Sequence, residues 1–185
     1  MTIANVLSPK TTTAAFALLL SLCISSVARE PIKLAPGDTP PQLLGVNIDG
    51  EEIDAGKFVG KVLVVTFWAS WCGPCKKELP ILEGIQRAAK DSVKVVAINI
   101  EDRDQFRKVA KALSTLALQI THDYRKKSSD AYGVHGVPHL VLIGRDGKVI
   151  NVHRGYSEAS VDSIIAEING ALAAPAPAKV AARLE

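Results

Sequence analysis

The residues best placed to do chemistry in this chain are two cysteines three positions apart, in Trp71-Cys72-Gly73-Pro74-Cys75. The pair follows a β-branched and aromatic run, Val62 to Phe67, and precedes apolar residues at helical spacing, Leu79, Leu82, Ile85 and Ala89. The spacing therefore places it where a buried strand hands over to a helix. Pro74 suits the first helical position, where its missing N–H costs nothing. On one helical turn, two intervening residues let the sulfurs approach bonding distance. Cys72 falls at the helix N-terminus, where free N–H groups and the helix dipole favour a thiolate. Such placement lowers a thiol pKa from about 8.5 to between about 3.5 and 7.5. Cys75 lies one turn deeper and is shielded. The asymmetry assigns roles: Cys72 attacks a disulfide, and Cys75 resolves the mixed disulfide.

Other uses of the pair fit less well. Zinc takes four ligands as a rule, and there is no second C-x-x-C. Covalent haem attachment needs His after the second cysteine, and Lys76 stands there. A purely structural disulfide would close a tiny loop, which constrains the unfolded chain least. The chemistry calls for no cofactor and no resident metal. Copper binding by Cys72, Cys75 and a histidine such as His139 stays open, since soft thiolates favour Cu(I).

The third cysteine, Cys23, lies in a different setting. Lys10 is the only charge among residues 1–28, Ala14 to Ile24 is apolar, and Ser26-Val27-Ala28 supplies small residues. This reads as a secretory signal over residues 1–28, too short for a comfortable membrane span. Cleavage after Ala28 removes Cys23. The alternatives are an uncleaved anchor and a lipoprotein signal acylated at Cys23, which Leu22 disfavours by its size. An exported, periplasmic location follows, either free or tethered by the uncleaved segment.

The chain has 185 residues, 48% of them hydrophobic, a formal charge of +3 and three cysteines. That is one domain with appendages, too few cysteines for a disulfide scaffold, and too little clustered charge for a nucleic-acid partner. Arg125-Lys126-Lys127 reads as a solvated loop. Nothing suggests an obligate dimer, so the chain reads as a monomer.

The remaining elements follow from patterning. Residues 29–40 read as a polar linker and residues 173–185 as a disordered Ala/Pro tail. Between them lies a domain over residues 41–172. It starts with strands Leu43 to Ile48 and Glu51 to Ile53, joined by Asp49-Gly50. Val93 to Ile100 is a second buried strand. Phe106, Val109, Ala110, Leu113 and Leu116 mark an amphipathic helix, Leu118 to Thr121 a short strand, and Ser128 to Tyr132 a short helix ending at Gly133. A hairpin over Asp146-Gly147 and a helix from Val161 to Leu172 close the chain. Alternating strands and helices predict an α/β fold with a central mixed sheet flanked by helices.

Phe67-Trp68-Ala69-Ser70-Trp71-Cys72-Gly73-Pro74-Cys75-Lys76 is similar to the thioredoxin active-site stretch almost letter for letter. Pro80 falls where that family carries a helix-kinking proline. Gly136-Val137-Pro138 resembles its cis-proline segment, and Asp146-Gly147, Gly155 and the last helix resemble its closing elements. The resemblance covers about Leu43 to Leu172 and implies a thioredoxin-like fold. It implies that Pro138 follows a cis bond and that the Val137 backbone pairs with an extended substrate peptide. Trp71 would shape access to Cys72, with Phe67 and Trp68 packed in or near the core.

Departures narrow the group. Thioredoxins carry a buried aspartate where Thr66 stands, and its partner lysine aligns with Ala97. Cys75 then needs another proton acceptor. Glu78 lies at i+3 on the same helix side, and is either that acceptor or a solvated surface glutamate. His139 stands where relatives have a small polar residue and is a candidate to tune Cys72. His122, His135 and His153 read as structural or solvated. The segment from Ile100 to Gly133 is an α/β insertion. With the leading hairpin and the secretory signal, it resembles the TlpA/ResA-like group of exported thiol–disulfide oxidoreductases. That resemblance implies clients in cytochrome c maturation or oxidase copper-site assembly, and a membrane thiol reductase of the DsbD/CcdA type as electron donor. A disulfide oxidase or isomerase on the same cysteines, and a Cu(I) chaperone, are the alternatives. A peroxidase lacks its Thr-x-x-Cys pocket here.

Overall fold

The computed structural model describes residues 33–123 and 125–175. The signal segment, the first part of the linker and the tail from residue 176 lie outside the described residues.

Seven strands form one mixed sheet. They are β1 (Leu43–Val46), β2 (Glu52–Asp54), β3 (Val62–Trp68), β4 (Val93–Asn99), β5 (Gln119–His122), β6 (His139–Ile143) and β7 (Val149–Arg154). Their order is β2-β1-β5-β4-β3-β6-β7. The centre, β5-β4-β3, is parallel; β1, β2, β6 and β7 join antiparallel. Every residue of β3 is buried, as its unbroken run of Val, Leu, Thr, Phe and Trp requires of a strand covered on both faces.

Four helices pack on this sheet: α1 (Gly73–Ala89), α2 (Arg103–Ala112), α3 (Lys127–Ala131) and α4 (Glu158–Ala173). Period-2 alternation along β3 and β6 divides the core. Val62, Val64, Trp68, Leu140 and Leu142 share one cluster with both cysteines, Leu79 and Leu82 of α1, and Ile164 and Ile168 of α4. Leu63, Val65, Phe67, Val141 and Ile143 form the other with Tyr132 and Leu34. The helix ends carry their own signals. Asp102 caps α2 by accepting from Asp104 and Gln105 N–H, Ser157 and Ser160 form a capping box on α4, and Gly133 follows α3 at φ +66°.

The Ile100–Gly133 insertion supplies α2, β5 and α3. Its strand sits between β4 and β1, so the leading hairpin reaches the sheet only through β5. Gly45 makes that junction possible: at φ +80°, a Cβ there would stand 2.8 Å from the His122 carbonyl oxygen.

Some boundaries differ from the sequence reading. β1 stops at Val46 rather than Ile48, because Asn47 turns the chain by accepting from Asp49 and Glu51 N–H. α2 ends at Ala112, so Leu116 packs from the following turn, not from the helix. Ala173, read as tail, is the last residue of α4. Residues 34–39, read as linker from their Pro, Gly and polar content, lie along β7. Gly37 N–H donates to Val149 O, Val149 N–H to Asp38 O, and Lys148 Nζ to Thr39 Oγ1. Backbone hydrogen bonding of this kind leaves no mark in composition.

Candidate active site

The loop Ala69-Ser70-Trp71 carries the chain from β3 into α1. Cys72 is the N-cap of that helix, and its sulfur accepts from Cys75 N–H at 3.2 Å. The helix opens at Gly73, so Pro74 occupies the second helical position rather than the first, still among the N–H groups that lack helical acceptors. Cys72 and Cys75 are joined by a disulfide, with Cα atoms 5.3 Å apart. Cys72 is 4% exposed and Cys75 is fully buried. Gly73 and Pro74 are exposed beside the disulfide, and Trp71 is 69% exposed. Phe67 and Trp68 are core residues. Pro80 lies inside α1.

Glu78 is not a solvated surface glutamate: it is 3% exposed and accepts a 2.8 Å hydrogen bond from Thr66 Oγ1. Thr66 pairs across the sheet with Ala97, so the two positions where thioredoxins carry aspartate and lysine are neighbours here too. The carboxylate arrives from the helix instead of the strand. Burial pushes the Glu78 carboxyl above its ordinary value, opposed in part by the Thr66 hydroxyl and by the charge of His153.

The Val137–Pro138 bond is cis. Pro138 is buried, and Val137 is half-buried against the cluster that contains both cysteines.

His139 is placed against the sequence expectation. It pairs with Phe67 across β3 and β6, with ring centroids 6.0 Å apart. Phe67 belongs to the core face opposite the cysteines. The strand alternation that buries Phe67 there carries His139 with it, away from Cys72. The set Cys72, Cys75 and His139 nominated for copper therefore does not converge. Among the described residues, no group of three His, Cys, Asp or Glu is placed to hold a metal. Burial, with Arg154 and His135 nearby, lowers His139 to about 4. His153 pairs with Glu167 at 2.9 Å, His122 stacks on Phe106, and His135 is exposed.

Sequence reasoning missed Glu101. Its carboxylate accepts from both the backbone N–H and the hydroxyl of Ser70, in the loop just before Cys72. Asn99 Nδ2 also donates to it, at 2.9 Å. The signal that would have found it is register. β3 and β4 are parallel with Trp68 opposite Asn99, so Ser70 and Glu101, each two residues further on, leave the sheet side by side.

A strand-to-helix corner thus carries the disulfide at the helix N-terminus, and Val137 of the cis-proline segment packs against the same core cluster. The Redoxin family model matches residues 34–168. The chain belongs to the Redoxin family. It is 30% identical over 128 residues to thiol-disulfide oxidoreductase ResA of Geobacillus thermodenitrificans, covering 68% of this chain and 73% of that one. It is 29% identical over 124 residues to ResA of Bacillus thuringiensis, covering 66% and 72%. A crystal structure assigned as thiol:disulfide interchange protein DsbE of Chlorobium tepidum superposes with TM-score 0.68 at 30% identity, over 76% of this chain and 99% of that one. This Redoxin protein has the thioredoxin fold and is a thiol–disulfide oxidoreductase with a Cys72–Cys75 pair. Among the described residues no helix is long and apolar enough to cross a membrane.

Proposed function

We propose that the protein is an exported reductase of client disulfides, of the kind that serves cytochrome c maturation or oxidase assembly, and that it works as a monomer. The observation that carries the reading is the unequal setting of the two sulfurs. Cys72 caps the helix at the exposed corner, while Cys75 is sealed beneath it, one turn from a buried carboxylate. In the reduced protein the Cys72 thiolate attacks a client disulfide. The client S–S bond breaks, a Cys72–client bond forms, and one client thiolate leaves. Cys75 then gives its proton to Glu78 and attacks the Cys72 sulfur. The second client thiolate leaves, and the Cys72–Cys75 bond carries the two electrons' worth of oxidation. A carboxylate whose pKa is raised by burial is a stronger base for that proton than an exposed one.

Other roles rest on the same geometry. Trp71, Gly73 and Pro74 form the surface a client meets, and Val137 and Pro138 offer backbone against which an extended client segment pairs. The direction of electron flow rests on the Gly73-Pro74 dipeptide, of the thioredoxin type at about −270 mV, against about −120 mV for the oxidant DsbA. Export rests on the Met1–Ala28 pattern. An oxidising compartment then demands a donor, a membrane thiol reductase of the DsbD/CcdA type.

The test is the equilibrium constant of the Cys72–Cys75 couple against glutathione or a dithiol buffer. A value near the thioredoxin end supports the reductase. A value near the DsbA end recasts the protein as an oxidase or isomerase acting through the same residues.

A further inference from the structure

Two parallel strands end together at the mouth of the site, and a single carboxylate ties their loops. Ser70 follows β3, Glu101 follows β4, and the last residues of those strands are partners, Trp68 with Asn99. Glu101 Oε2 accepts from Ser70 N–H, and Oε1 accepts from Ser70 Oγ at 2.8 Å. The carboxylate is itself held. Asn99, fully buried, donates to it from Nδ2 and accepts from the Glu101 N–H at 3.0 Å. His122 Nε2 lies 2.8 Å from the Glu101 carbonyl oxygen, and Gln105 Nε2 donates to Ser70 Oγ at 3.0 Å. Four residues, Asn99 of β4, Gln105 of α2, His122 of β5 and Glu101 of the loop after β4, thus form one network around Ser70, two positions before Cys72.

This arrangement exceeds what holding a loop requires. A neutral acceptor would satisfy the Ser70 N–H. An ionised one makes shorter and stronger bonds, and it also holds a negative charge on the loop two residues before the cysteine that must become a thiolate. The charged groups at the start of α1 are engaged elsewhere or exposed: Glu78 is bonded to Thr66, and Lys76 and Lys77 face solvent.

We propose that Glu101 is a positioning residue for disulfide exchange, clamping the Ser70–Trp71 loop so that Cys72 is presented in one geometry, while its charge restrains the stability of the Cys72 thiolate and so keeps the couple reducing. The helix N-terminus favours the thiolate and the Glu101 carboxylate opposes it. The balance sets how readily the reduced pair gives up its electrons. Removing the charge stabilises the thiolate, hence the reduced form, and makes the protein a weaker reductant.

The test compares Glu101→Gln, Glu101→Ala and Ser70→Ala in the folded protein. Glu101→Gln keeps the shape and one acceptor for Ser70 N–H but loses the charge. We expect its Cys72 acidity constant to rise about three- to tenfold on loss of a charge bonded two residues away. Its equilibrium constant with glutathione should move toward the reduced protein by a similar factor, with tenfold equal to about 30 mV. Glu101→Ala frees the loop as well and should slow attack by Cys72 on a small disulfide. Ser70→Ala keeps the charge and the backbone bond, and should leave the equilibrium constant unchanged. A merely structural Glu101 would lower the melting temperature of oxidised and reduced forms equally. Glu101→Gln with unaltered Cys72 acidity and an unaltered glutathione equilibrium overturns the proposal. The glutathione equilibrium of the variants relative to wild type does not depend on which direction the protein works in the cell.

Discussion

Thr66 Oγ1 donates a 2.8 Å hydrogen bond to Glu78 Oε2, joining the central strand to the helix that carries both cysteines. The hydroxyl is the carboxylate's hydrogen-bond partner, and the charge of His153 also acts on it. Thr66→Val keeps the shape and removes the donor. Leaving a buried polar group unsatisfied costs about 1–3 kcal/mol. The melting temperature should therefore fall, and the Glu78 carboxyl should move further above the ordinary range. Titration of Glu78 by NMR checks the second point.

Glu78 itself links stability to pH and activity to protonation. Its folded pKa is raised, so the folded chain holds the proton over a window where the unfolded chain has lost it. Stability contributed by the protonated form is complete below the ordinary carboxylate range and is lost as pH rises through the raised value. Glu78→Gln should flatten that loss. If Glu78 takes the Cys75 proton, the same variant slows release of the mixed disulfide by about a hundredfold or more. A pH–rate profile unchanged by Glu78→Gln would refute the role.

The unequal positions of the two cysteines, Cys72 at the helix N-cap and Cys75 inside the first turn, predict unequal mutants. Cys75→Ser should accumulate a covalent complex with client, visible on a non-reducing gel, because Cys72 reacts and nothing resolves the product. Cys72→Ser should form no such complex, since Cys75 is fully buried.

Trp71 is the largest exposed apolar side chain of the site. Trp71→Ala should change stability by no more than about 0.5 kcal/mol, as surface substitutions do. Turnover of a protein client should fall, with attack on a small-molecule disulfide nearly unchanged. A matched loss on both substrates would place Trp71 in the chemistry rather than in recognition.

His139 predicts acid sensitivity. Burial holds its folded pKa near 4 against an ordinary 6.5. Between those values the unfolded chain binds a proton that the folded chain refuses, so stability present above 6.5 is lost as pH falls toward 4. The full difference amounts to about 3 kcal/mol. Denaturant unfolding of His139→Phe between pH 7 and about pH 4 should show a shallower decline than wild type.

The sequence by itself determined the redox pair, the order of elements and the fold, because each depends on local pattern. Val62–Trp68 has no polar face to offer solvent, and Leu79, Leu82, Ile164 and Ile168 recur at helical spacing. The same locality explains Cys72 as N-cap, since capping involves only the next few N–H groups. Tertiary structure decided whatever depended on register between strands distant in sequence. Glu78 became a buried group because Thr66 stands opposite it, twelve residues earlier. His139 turned away from Cys72 because its pairing with Phe67 fixes which face it joins. Glu101 reached Ser70, thirty-one residues earlier, because two parallel strands end in step. A one-residue shift of β6 against β3 would send His139 to the other face of the sheet. No pattern within a single segment records which pairing is made.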